Sequence, residues 1–468
     1  MNSPASRRTF LRGSAAAAAF TIVAPHVLGG PKFVAPSDRV NVALVGAGGR
    51  GLQNARELMK LDDVRITAVV DPAEHWDLSP FYYKGVAGRL PAVAEIEAHY
   101  AKSEPNFRTA QFLDFRRMLD ESADIDEVLC ATPDHSHAVV SVAAMKAGKH
   151  AYCEKPLTHN IYEARLAARV AQETGVATQM GNQGHSTDGI RETVELLRAG
   201  VIGEIEKVHA WVPAVRWNPT LTGLPTRSDP VPAGLDWDLW CGPRPVMPFN
   251  EAFAPVSWRD FWMFGCGALG DFGCHDLDSA VWGLELDQPT EVQFFPAGRV
   301  DQHTAPYGEV GYYRFPSKYG RGGELTIHWY SGGLQPMRPE QLPEGKSLPA
   351  RGVLFEGTAG VMVCGGAGGK PQLYPESLAE TASKVEPSIP RSKGHHRDWI
   401  DAIKGGPPAS SNFGYGARLT EITLLGLLSL RTGGSLIRWD AADMAAPGVE
   451  GSEQIIHGVY RDGWKPTA

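Results

Sequence analysis

The feature that most constrains this chain is a glycine turn set between an apolar run and a helix-like stretch. Residues 40–46 read VNVALVG, GAGGRG follows from Gly46 to Gly51, and an amphipathic stretch continues through Leu52–Met59. This is the pattern of strand, tight turn and helix. Gly46 allows the turn, Gly48 and Gly49 leave room for a pyrophosphate against the backbone, and Gly51 lets helix and strand pack closely. The helix N-terminus then faces the anion. A second strand, VRITAVVD, ends in Asp71, 20 residues after Gly51, the spacing at which a carboxylate meets ribose hydroxyls. Asp71 is followed by Pro72, with no neighbouring Arg for a 2′-phosphate, so NAD is expected and NADP is disfavoured.

Further apolar runs extend the parallel sheet. IDEVLCATP ends in Thr132 and Pro133, a helix opens near His135–His137, and KHAYCEKP places Glu154 and Lys155 just past another strand's carboxyl end. Ligands of open parallel sheets sit at that edge. Thr132, Pro133, His137, Glu154 and Lys155 therefore join the glycines and Asp71 as candidate cofactor contacts.

The chain has 468 residues, 45 Lys plus Arg against 53 Asp plus Glu, and 43% hydrophobic residues, which favours two folded domains and provides no basic footprint for nucleic acid. The expected organisation is a signal and linker over 1–36, a Rossmann domain over 37–180 and an α+β domain over 181–468. SRRTFLR at residues 6–12 and the Ala-rich stretch Gly13–Ala24 read as a twin-arginine export signal, so a periplasmic or otherwise extracytoplasmic location is expected. That stretch is too short to span a bilayer, and no membrane span is expected once the signal is removed.

The densest chemistry of the second half lies in WRDFWMFGCGALGDFGCHDLDSAVWGL, where Asp271 and His275 stand four apart on one helix face. Removing hydride from a secondary alcohol needs a base for the hydroxyl proton, and neutral His suits that role. Cys266, Asp271, Cys274, His275 and Asp276 offer a competing metal reading, but no ligand spacing matches a structural-zinc pattern and no metal is expected. QMGNQGH supplies Asn182, Gln183 and His185 as candidate hydroxyl contacts. Trp211, Trp217, Trp258, Arg259 and Trp262 are candidate walls for a sugar. The Pro-, Gly- and Trp-rich excursion from Pro213 to Pro255 is placed at the pocket rim. The glycine cluster of GTAGVMVCGGAGGKPQLY reads as hairpin turns without a phosphate role.

With GAGGRG, ATPDHSH and CEKPL in that order, the chain resembles the Gfo/Idh/MocA family, named for glucose-fructose oxidoreductase, inositol dehydrogenase and rhizopine catabolism. The resemblance implies a doubly wound Rossmann domain followed by an α+β domain with an open, mostly antiparallel sheet, and assembly into a homo-oligomer. It also implies that Lys155 contacts nicotinamide and substrate, helped by Glu154 and a cis bond to Pro156, with Asp271 and His275 as the acid/base pair. Asp134 departs from the family's usual Asn. The expected activity is oxidoreduction of a sugar or sugar-like polyol on a tightly bound, internally recycled NAD. Glycoside cleavage through transient oxidation and elimination is the first alternative, and a non-catalytic sugar-binding protein is the second.

Overall fold

The computed structural model describes residue 35 and residues 38–298 and 301–467. The signal and linker expected over 1–36 lie outside the described residues but for Ala35. In chain order the first half runs β1 (Val40–Val45), α1 (Gly49–Leu58), β2 (Val64–Val70), a small flap of β3 (Trp76–Asp77) and β4 (Val86–Ala87), α2 (Arg89–Tyr100), β5 (Ala110–Phe112) and α3 (Phe115–Glu121). It continues through β6 (Glu127–Cys130), α4 (His137–Lys146), β7 (His150–Cys153), α5 (Ile161–Thr174), β8 (Thr178–Met180) and α6 (Asp188–Arg198). Six of these strands form one sheet in the order β5-β2-β1-β6-β7-β8, and every pairing in it is parallel. Helices cover both faces, which is why the strands read as unbroken apolar runs. The order reverses between β1 and β6, and the crevice at such a reversal is where open sheets bind ligands.

The second half carries β9 (Ile205–Trp211), α7 (Trp237–Cys241), α8 (Gly267–Asp276), α9 (Asp278–Gly283), β10 (Glu291–Ala297), β11 (Gly308–Pro316), β12 (Glu324–Tyr330) and β13 (Gly352–Gly357). There follow β14 (Gly360–Gly365), β15 (Pro371–Tyr374), α10 (Leu378–Ala382), α11 (His395–Ile403), α12 (Phe413–Arg431), β16 (Ile437–Arg438) and α13 (Ser452–His457). An eight-stranded sheet of order β15-β14-β13-β9-β12-β11-β10-β16 results. It is antiparallel except where β12 meets β9. The second glycine cluster forms the β13-β14-β15 meander, as its flanking strand-like runs require.

The two halves share a core. Helix α12 is buried along nearly its whole length and packs against α5, α8 and β10, with Glu421 paired to Arg165. Asn412 starts it, its side chain accepting from the N–H groups of Gly414 and Tyr415. The excursion over 213–255 builds a small aromatic core of its own with the segment after it. Trp237, Trp240, Phe249, Phe253, Phe261 and Phe264 pack together, the two Trp rings stacked 4.7 Å apart. Glu74 N–H donates to the Gly234 carbonyl and Asp236 N–H to the Pro72 carbonyl, which ties this core to the loop after Asp71.

Candidate active site

A cleft follows the carboxyl edge of the parallel sheet, from Asp71, Leu113 and Phe115 at one end to Lys155, Arg259 and Asp271 at the other. Its floor is the glycine turn. Gly46 has φ +90°, and a Cβ there would lie 2.6 Å from the Ala131 carbonyl carbon; one on Gly51 would lie 1.9 Å from the Gly46 oxygen. A Cβ on Gly49 would enter the Tyr83 ring at 2.2 Å, whereas one on Gly48 would meet no protein atom within 4 Å. Gly48 is thus not demanded by the surrounding protein. The first turn of α1 has neither a capping side chain nor an acidic residue, which leaves its N–H groups facing the cleft for an anion.

Asp71 closes β2 only 5% exposed. Its carboxylate accepts from the N–H groups of Ala47 at 2.7 Å and Ala73 at 2.8 Å. Burial pushes its carboxyl up to about 6 against the pull of those donors. The fold also brings in Arg89, whose Nη1 donates to the Asp71 carbonyl at 2.8 Å and whose Nη2 lies 3.6 Å from Glu74. No sequence neighbour of Asp71 foretold that cation. These residues fit a nicotinamide dinucleotide: an open space beside Gly48, an uncapped helix N-terminus and a buried carboxylate at the hydroxyl-binding end. Thr132, Pro133 and His137 also line the cleft. Both His137 ring nitrogens are taken by carbonyls, Pro156 at 2.7 Å and Thr132 at 2.9 Å. Among the described residues, Cys130, His137 and Cys153 are the trio close enough to share an ion, a set distinct from the one weighed in the sequence, and His137 has no nitrogen to spare for one.

At the other end the Lys155-Pro156 bond is cis. Lys155 Nζ donates to the Asp271 carbonyl at 2.7 Å and to its carboxylate. Arg259 Nε stands 3.5 Å from the same carboxylate. Burial alone would push the Asp271 carboxyl up, but Lys155 and Arg259 together hold it well below the usual carboxylate range. Asp134 is buried nearby, with its carboxylate accepting from the Cys266 N–H at 3.1 Å, which pins the start of α8 to the first domain. Arg259 lies under Trp258, 4.1 Å from its ring centre, and 5.5 Å from that of Trp217. Tyr82 of the flap stacks on Trp217 at 5.8 Å.

His275 lies one turn after Asp271 on α8, half-buried, with Nδ1 lacking a hydrogen-bond partner. Burial first, then the cations of Lys155, Arg351 and Arg50, hold it well below the ordinary His value, so it is neutral. It is not among the residues lining the cleft.

Several expected contacts lie elsewhere. Glu154 does line the cleft, but its carboxylate makes no bond to the Lys155 ammonium; it accepts from Asn54 and Gln183, both at 2.9 Å, and Arg50 stands 3.5 Å away. Gln183 is held by Tyr152, Glu154 and Arg50. Asn182 and His185 do not face the cleft. Both are fully buried and bonded to Asp278, at 2.9 Å and 3.0 Å, because the loop after β8 turns inward against α9. Trp262 is likewise core, only 6% exposed, with Arg431 over its ring. Trp211 is buried beneath the second sheet. Sequence reasoning missed Tyr82 and Tyr83 as cleft residues. Tyr82 and Tyr83 carried only an aromatic pair in a polar loop as their signal.

Fold and site together define a chain built on a Rossmann domain suited to a dinucleotide, with a second α/β domain across the cleft. Residues 40–182 match the Gfo/Idh/MocA oxidoreductase family with its NAD-binding Rossmann fold, and residues 189–328 match that family's C-terminal alpha/beta domain. The chain belongs to the Gfo/Idh/MocA family. It is 29% identical over 190 residues to a glycosyl hydrolase family 109 protein of Shewanella sp. strain W3-18-1, a stretch of 40% of this chain and 38% of that one. An uncharacterized oxidoreductase of Streptococcus pneumoniae is 28% identical over 185 residues, 38% of this chain and 43% of its own. The chain thus spans about two fifths of the length of the curated relatives it matches. Among solved structures, the WlbA dehydrogenase of Bordetella pertussis in complex with NADH and UDP-GlcNAcA superposes with a TM-score of 0.55 at 16% identity, over 86% of this chain and 99% of that one. The aldose-aldose oxidoreductase of Caulobacter crescentus complexed with glycerol gives 0.53 at 16% identity over the same shares. These two establish the shared fold. No helix among the described residues is long and apolar enough to cross a membrane.

Proposed function

We propose that this protein oxidises a secondary hydroxyl of a sugar or sugar-like polyol on a tightly held NAD and returns the hydride before product leaves. The observation that carries this reading is the ion cluster at the cleft's end, where Lys155 is fixed by both the carbonyl and the carboxylate of Asp271. Fixed so, the Lys155 ammonium is available to donate a hydrogen bond to a substrate hydroxyl. Asp271, ionised at any physiological pH, keeps Lys155 and Arg259 in register instead of trading protons itself. His275, neutral and one turn along α8 from Asp271, is the base of this reading; it stands behind the cleft lining, so its role rests on the helix it shares with Asp271 and is tested by the His275→Ala variant. Arg259, Trp258 and Tyr82 line the cleft, with Trp217 outside the lining against Arg259 and Tyr82, and this wall pairs a fork of N–H donors with aromatic surface, as a pyranose ring with polar edges and C–H faces requires. When bound, NAD supplies the ring that accepts the hydride and gives it back.

Export by the twin-arginine route belongs to the same reading, since a protein exported folded carries its nucleotide with it; Arg7, Arg8 and the stretch Gly13–Ala24 support it. So does assembly into a homo-oligomer. Glycoside cleavage is the second reading, favoured by the match to glycosyl hydrolase family 109 proteins. Oxidation of a ring hydroxyl to a ketone would acidify the neighbouring C–H; loss of that proton would expel the leaving group from the next carbon by elimination, water would add to the resulting enone, and the ketone would be reduced again by the stored hydride. Incubation with nitrophenyl glycosides and, separately, with free sugars separates the two: nitrophenol release without added NAD supports cleavage, and interconversion of sugars alone supports oxidoreduction. Mass spectrometry of the denatured protein is expected to show NAD. A protein that neither carries nor binds NAD would sink both.

A further inference from the structure

The end of the chain returns to the nucleotide half. From α13 it runs to Tyr460, whose hydroxyl donates to Glu163 at 2.7 Å and accepts from Asn160 at 2.9 Å. Arg244 Nη1 donates to the Val459 carbonyl at 2.7 Å. Arg461 grips the end of α7, donating to both carboxylate oxygens of Asp238, at 2.7 and 3.0 Å, and to the Gly242 carbonyl at 2.5 Å. So anchored, the tail presents Trp464. Its ring lies 6.3 Å from that of Phe115, with the Arg116 guanidinium 4.1 Å from its centre. Trp464 borders the cleft with Leu113, Phe115, Leu239 and Trp240.

That is the end marked by Asp71: Phe115 opens α3 just after β5, and the Asp71 N–H donates to the Phe112 carbonyl at 3.2 Å. One step beyond the Asp71 carboxylate, Leu113, Phe115 and the Trp464 indole border a slot, with the Arg116 and Arg461 guanidinium groups 4.1 and 5.0 Å from the indole centre, so aromatic carbon and cationic groups together face a purine joined to a ribose. The opposite end, with Lys155 and Asp271, is ionic and lies beyond the glycine turn. We propose that the C-terminal tail, through Trp464, builds the outer wall of the adenine subsite and thereby slows release of the dinucleotide. This inference rests on the NAD reading above and adds to it a cofactor-contacting residue from the far end of the chain.

The wall predicts a selective effect. In the full-length protein freed of nucleotide, Trp464→Ala should raise the Kd for NAD and for ADP-ribose by about tenfold, within the range measured for losing an aromatic stacking partner of a base. The Kd for nicotinamide mononucleotide should not move, and Trp464→Phe should restore most of the affinity. Unchanged ADP-ribose binding, or equal weakening of ADP-ribose and nicotinamide mononucleotide, would overturn the inference. A readout on the unmodified protein covers the case of a misfolded variant. Hydrogen exchange over residues 459–467 should slow with ADP-ribose and not with nicotinamide mononucleotide; no slowing counts against the wall. Wild-type protein that binds neither NAD nor ADP-ribose would remove the NAD reading itself, whereas normal binding with an inert Trp464 removes this inference alone.

Discussion

Gly46 and Gly48 sit two residues apart in one turn, yet the structure predicts opposite consequences for replacing them by Ala. At Gly46 the backbone is at φ +90°, and the new Cβ would lie 2.6–2.7 Å from backbone atoms of Ala131 and Thr132. A left-handed conformation alone costs an L-residue roughly 1–2 kcal/mol, and the overlap with backbone adds to it. Gly48 has φ −71° and ψ −170°, an ordinary extended conformation, and open space where its Cβ would stand. Gly48→Ala should therefore leave the nucleotide-free protein within about 1 kcal/mol of wild type, the unfolded-chain entropy lost offsetting a poorer N-cap. What the methyl displaces is the ligand. Two charge-assisted N–H bonds to a pyrophosphate are worth about 1.5–3 kcal/mol each, so losing both would weaken NAD binding by roughly 10²- to 10⁴-fold. Calorimetric titration with NAD and thermal melts of the nucleotide-free proteins read the two effects separately. NAD affinity unchanged in Gly48→Ala would refute the placement of the pyrophosphate; a loss of stability matching that of Gly46→Ala would show that the fold, not the ligand, requires this glycine.

Two further outcomes follow from the charges. With the Asp71 carboxyl at about 6, its ionised fraction falls about tenfold between pH 7 and pH 5, and the Kd for NAD should rise about tenfold over that interval, with Asp71→Asn weaker and flat. In the nucleotide-free protein the sign reverses: the folded carboxyl sits above its unfolded value, so its cost to stability is present above about pH 6 and fades below it, which urea titrations at pH 5 and pH 7.5 would resolve for wild type against Asp71→Asn. Lys155→Ala and His275→Ala should each cut turnover by roughly 10²-fold or more while NAD stays bound, the usual scale for a lost acid/base group. Near-normal turnover in His275→Ala would pass the proton to the Lys155 and Asp271 pair.

The features legible in the sequence are those carried by local rules. The turn from Gly46 to Gly51 and the position of Asp71 depend on spacing within a single strand-turn-helix unit, and the structure places both along one cleft edge. Lys155 and Asp271 were picked out separately, 116 residues apart, and their direct contact follows from α8 packing across the carboxyl edge. Asn182 and His185 show where such reading fails. Their polarity suggested a ligand, but Asp278 supplies a buried internal partner that no spacing reveals. Tyr83 was invisible because its role is to cover Gly49 from a flap whose strands are two residues long. Trp464 was invisible for a similar reason: it meets Arg116 only after the chain has crossed the second domain.

The account's central claim is that hydride taken from the substrate comes back within one site. Deuterium placed at the oxidised carbon of a sugar or glycoside found in the substrate screen, with no NAD added, tests it directly. The account predicts multiple turnovers, no accumulation of free NADH, and deuterium retained in the released product or delivered to a second sugar. Deuterium appearing stoichiometrically in free NADH, with turnover dependent on added NAD, would contradict it.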